Sequence, residues 1–128
     1  MAAQRHGTAI DYDGRAFRSS AAETASGDDV PTGHYHQHED LVWAEFSGGK
    51  VRTGRLVGRC TPEGVLHLVY GQVLDDGRIV AGECVSVPQV LQDGRIRLRE
   101  QWHRVDGSTG VSWIEEVPSS ARHGQASR

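Results

Sequence analysis

The stretch Arg95–Arg104, R-I-R-L-R-E-Q-W-H-R, restricts what this chain can fold into more than any other. It alternates without a break. Arg95, Arg97, Arg99, Gln101 and His103 fall on one side, and Ile96, Leu98, Glu100 and Trp102 on the other. Successive side chains of a strand point to opposite faces, so the pattern predicts a strand with one face in water and one in a core. Glu100 breaks the apolar set, sitting between Leu98 and Trp102. Burying an uncompensated carboxylate is costly, so this position predicts a partner, a raised pKa or a wet cavity. Glu100 is therefore the first candidate for an interior site.

Further strands are predicted over 15–20, 32–37, 41–46, 50–60, 65–73, 78–87 and 110–117, separated by Gly-containing turns such as Ser47-Gly48-Gly49 and Asp76-Gly77. With the organising strand they make eight. No segment of twelve or more residues carries apolar positions at helical spacing behind a capping residue. Short connections make sequential strands antiparallel neighbours, which predicts an all-β, eight-stranded antiparallel up-and-down β-barrel. Such a barrel is just wide enough to be filled by side chains or to hold one small ligand. The polar run from Ser19 to Asp29 reads as a mobile loop or a weakly paired strand end. Residues 1–8 read as a flexible leader, 9–118 as a single barrel domain and 119–128 as a disordered tail.

The formal net charge of −3 argues against a dedicated nucleic-acid surface, which would normally be basic. No apolar run approaches the ~20 residues needed to cross a bilayer. The amino terminus, M-A-A-Q-R-H-G, lacks the apolar core of a signal peptide, so a cytoplasmic location is expected. Cys60 and Cys84 fall on strands separated by another, roughly twice 4.8 Å apart, too far for a disulfide. Both are expected to be reduced thiols, with Cys84 buried as a small apolar residue.

The run from Ile10 to Val117 resembles a family of small actinobacterial proteins that are similar to avidin-like, calycin-type barrels. The resemblance is carried by I-D-Y-D-G-R at 10–15, H-Y-H-Q at 34–37, D-L-V-W-A at 40–44 and S-G-G at 47–49. It continues in G-x-C-x-S-x-P at 82–88, D-G-R-I-R-L-R-E-x-W at 93–102 and W-I-E-E-V at 113–117. These motifs imply a fold rather than a chemistry. Relatives often carry the label N-acetylglutamate synthase, yet the chain has no helix-capping glycine loop for an acyl-CoA pyrophosphate. No biotin-site residue is carried over from avidin.

Strand alternation assigns a provisional interior. Arg52, Gly54, Leu56, Gly58 and Cys60 share one face, as do Leu66, Leu68, Tyr70 and Gln72, and as do Gly82, Cys84 and Ser86. Adding Glu100 and Trp102, with Tyr35 and Trp43 as an aromatic wall, gives the mixture a small-molecule pocket needs: mostly apolar, with a few convergent polar groups. The expected ligand-binding set is thus Tyr35, Trp43, Arg52, Tyr70, Cys84, Ser86, Glu100 and Trp102. The competing reading is a filled barrel in which Glu100 pairs with Arg52 or another arginine, leaving an interaction module. A third is a small barrel enzyme of isomerase, cyclase or hydrolase type, with Glu100 as general acid or base. No cofactor is called for. The expected partner is a small-molecule ligand, with neither nucleic acid nor membrane, and a homo-oligomer through the outer barrel face is compatible with the pattern.

Two other groups of residues read more simply. His34, His36 and His38 share a strand face at roughly 6.6 Å spacing, which could bring them to a divalent metal with Glu39 or Asp40, but a solvated strand end is the simpler account. Glu115 and Glu116 must face opposite sides, with Glu116 expected outside.

Overall fold

The computed structural model describes residues 10–118. The expectations for 1–8 and for 119–128 lie outside the described residues. Eight strands run β1 (Ala16–Ser19), β2 (Thr32–His38), β3 (Leu41–Gly48), β4 (Val51–Cys60), β5 (Leu66–Leu74), β6 (Ile79–Val90), β7 (Ile96–Arg104) and β8 (Thr109–Glu116). Each pairs antiparallel with its sequence neighbour. Pairing of β1 with β8, Phe17 opposite Glu116, closes the sheet into a barrel without free edges. The only helical element among the described residues is a one-turn 3-10 segment, Ala22–Thr24, between β1 and β2.

One turn chemistry is used repeatedly. In Asp76-Gly77, Asp93-Gly94 and Asp106-Gly107 the aspartate accepts a hydrogen bond from the backbone N–H two residues on, at 3.0, 3.1 and 2.9 Å. The glycine then takes φ of 89°, 88° and 91°, a left-handed conformation costly for other residues. The predicted strands therefore end where these pairs stand.

One end of the barrel is plugged. Tyr12 is fully buried, and its hydroxyl donates to the Gly64 carbonyl at 2.6 Å. Its ring packs on Phe17 and Tyr35 at 6.3 and 6.4 Å, while those two meet edge-on at 4.9 Å. Val42, Leu66, Ile96 and Leu98 complete this core. Beside it lies an ion pair that the sequence reading placed wrongly. Glu116 is buried, not outside. Its carboxylate accepts two bonds from Arg15 Nη1 at 2.8 and 3.1 Å and one from the Ile96 N–H at 3.0 Å, which together make burial tolerable. Its neighbour Glu115 faces out to Arg95 at 2.9 Å.

Two inward assignments are also corrected. The β4–β5 register shifts between Val51 and Thr53, so Val51 is buried and Arg52 is exposed. A bulge reverses the alternation on its far side, which the sequence pattern of β4 does not reveal. On β3, Val42 and Ala44 are the buried pair, so Trp43 must face out; it stacks on His36 with ring centroids 5.5 Å apart. Arg52, exposed on the outer face, is therefore not the partner for Glu100 that the filled-barrel reading named first.

Candidate functional site

The barrel lumen holds a cavity of about 130 Å³, partly open to solvent. Its hollowness has a local cause in two cross-strand pairs of an aromatic residue with a glycine. Phe46 stands opposite Gly54, and Trp102 opposite Gly110. A Cβ at either glycine would fall on the facing ring. Each ring therefore lies flat over its neighbour's bare backbone instead of projecting into the lumen. Trp102 is fixed further by its indole N–H, which donates to Ser112 Oγ at 2.9 Å. Phe17, Leu56 and Ile114 supply apolar wall around these rings.

Glu100 sits on this wall midway along β7, with Ser86 and Ser112 opposite it on the flanking strands. Ser86 Oγ approaches Glu100 Oε2 at 3.4 Å, a long contact for a hydroxyl donor. Among the described residues no Lys or Arg forms an ion pair with it. The residue keeps some accessible surface because it borders the cavity, yet its carboxyl is surrounded by protein. Burial pushes its pKa up from 4.5 to about 7, opposed only in part by the Ser86 hydrogen bond. The same enclosure acts on its neighbours. Burial holds the Tyr35 hydroxyl well above its ordinary value, with the Glu100 charge adding to it. Burial, and then Glu100, push the Cys84 thiol up to about 12. Both cysteines are free.

At the other end of the lumen stands Arg104, the next inward residue of β7 after Trp102. Its guanidinium lies over the Trp102 ring, 4.3 Å from the centroid, and bonds the Tyr70 hydroxyl. Arg104 Nη2 donates to Glu23 Oε1 at 2.9 Å, tying the one-turn segment across this end of the cavity. That segment is held from the other side by the Lys50 N–H, which donates to the Thr24 carbonyl at 2.8 Å.

The family model described as "Avidin-like protein" matches residues 10–117. The chain belongs to the avidin-like family. No curated protein and no solved structure matches it. The closed eight-stranded barrel is the architecture that the resemblance in its motifs implied, and membership brings with it the coarse expectation of small ligands rather than a particular one.

Of the residues that strand alternation assigned to a pocket, Tyr35, Tyr70, Cys84, Glu100 and Trp102 line the cavity. Ser86 is fully buried behind Glu100 and acts on it rather than lining the lumen. Trp43 and Arg52 lie outside, as described above. Among the described residues no group of three or more His, Cys, Asp and Glu could hold a metal ion. His34 and His38 are exposed, and His36 is committed to Glu45 at 2.8 Å. Sequence reasoning missed Arg104, although the alternation 96-98-100-102 extended by one step reaches it. It also missed Phe46 and Glu23. Glu23 lies in a polar stretch whose sequence carries no signal of its contact with β7.

Proposed function

We propose that the barrel binds one small, partly apolar molecule, of about the size of a single ring, which presents an N–H or O–H group to Glu100. A cavity of about 150 Å³ is known to accept benzene, which sets the scale for the present one. The observation that carries this reading is the Glu100 carboxyl on an apolar wall, with only a long serine contact to satisfy it among the described residues. A ligand donor there would replace solvent at a group that burial has left under-bonded. A second reading is favoured by one observation: a carboxyl with a pKa of about 7 is poised to exchange a proton at neutral pH, as a general acid or base does. Glu100→Gln separates the two. A binder changes affinity alone, whereas an enzyme keeps its ligand and loses turnover.

The test is native mass spectrometry of the protein purified from its own host, followed by titration of the co-purifying molecule into wild type and Glu100→Gln. A ligand whose affinity and turnover both ignore Glu100→Gln overturns the proposed site. The two free thiols support a reducing, cytoplasmic setting, and among the described residues no helix is long and apolar enough to cross a membrane. Self-association would use the outer row Trp43, Val57 and Val69, contiguous across β3–β5 and exposed, which light scattering of wild type and Val69→Lys would test.

A further inference from the structure

Among the described residues Arg104 is the one cation on the cavity wall, and its hydrogen bonding is unfinished. Its guanidinium is held by Trp102, Tyr70 and Glu23, yet Nε is buried and has no hydrogen-bond partner among the described residues. Nε and Nη2 form one edge of the guanidinium, with two parallel N–H donors spaced to fit the two oxygens of a carboxylate. Glu23 uses only half of that edge, through Nη2 at 2.9 Å. Its own side chain is 55% exposed against 22% for Arg104, so the carboxylate end of the pair is open to water and screened. The seat is thus occupied by a poorly fitting, easily displaced carboxylate from the chain itself.

We infer that the ligand of this cavity carries a carboxylate, which takes the Nε–Nη2 edge of Arg104 and displaces Glu23. This rests on the reading of the cavity as a ligand site and names the class of molecule it takes: a small organic acid with an apolar body. The body lies along Trp102, between Arg104 and Glu100, whose Cα atoms are separated by four residues of β7, roughly 13 Å along the strand. Displacing Glu23 releases one of the ties on the segment Ala22–Thr24, so binding is coupled to a loosening of the strap beside the cavity.

The test uses the full-length protein and two matched probe series. One is benzoate, phenylacetate and 3-phenylpropionate; the other is the alcohol of each same skeleton. Affinities are read by calorimetry at pH 6. At least one carboxylate is expected to bind about tenfold or more tightly than its alcohol, the range for hydrogen bonds to a charged group. Glu23→Gln removes the competing charge and is expected to strengthen carboxylate binding about threefold, leaving alcohols unchanged. Arg104→Gln is expected to abolish the preference. Because Glu23 is largely exposed, its variant should fold even if Arg104→Gln does not. Equal binding of acids and alcohols, or a Glu23→Gln effect shared by both series, overturns the inference and leaves the cavity reading standing. Binding of neither series at millimolar concentration overturns the carboxylate assignment, whereas a co-purifying neutral ligand would still uphold the cavity itself.

Discussion

Replacing Glu100 with Gln should change how stability depends on pH in a way no surface carboxylate can reproduce. In the folded barrel burial pushes this carboxyl from 4.5 to about 7. Below about pH 4.5 it is protonated both folded and unfolded and contributes no pH dependence. Between 4.5 and 7 the unfolded chain ionises while the folded one still holds its proton, so wild type loses stability as pH rises. Above 7 both forms are ionised and the loss is complete. At 1.36 kcal/mol per pH unit this amounts to about 3 kcal/mol. A glutamine of the same shape carries no charge, so Glu100→Gln should lose nothing over this window. Urea unfolding followed by tryptophan fluorescence at pH 5, 6, 7 and 8 reads both proteins. The gap in favour of the variant should open by about 3 kcal/mol, or about 10 °C in Tm for a domain of this size. Parallel curves from pH 5 to 8 would show that Glu100 is already ionised at low cost, through solvent or an ion pair, and the account of the site would fail.

Gly110→Ala should cost about 1–3 kcal/mol in urea unfolding, because its Cβ falls on the Trp102 ring and drives that ring into the lumen; an unchanged midpoint would remove the physical reason given for the hollow interior. Arg15→Ala takes the guanidinium away from the buried Glu116 carboxylate and should cost about 3 kcal/mol, whereas a joint change to Met at 15 and Leu at 116 should recover most of it, both read by thermal melting. Iodoacetamide at pH 8 should label Cys84 in the folded protein far more slowly than in urea, since burial holds its thiol at about 12; peptide mapping that finds equal rates would contradict its enclosed position.

The barrel itself was legible because its information is local. Asp-Gly pairs mark where strands must turn, since a glycine in the left-handed region there is a property of each tetrapeptide. The period-2 pattern of Ile96, Leu98, Glu100 and Trp102 fixes the inner face of β7 and so places the candidate carboxyl. What alternation cannot show is a change of phase: the bulge after Val51 turned Arg52 outward, and nothing in V-R-T-G-R announces it. Nor could a sequence in which Trp43 and Ala44 compete for the inside decide that the alanine wins.

The burial of Glu116 and the seating of Glu23 on Arg104 were decided only by the closed structure. Their partners lie 101 and 81 residues away along the chain. The same holds for the hollow. Each glycine and each aromatic ring is visible in the sequence, but whether a ring covers bare backbone or blocks the lumen depends on which residue the neighbouring strand sets opposite it. Local backbone preference therefore determined the strands, their turns and most inward faces, while cross-barrel register decided which charges meet and where space remains.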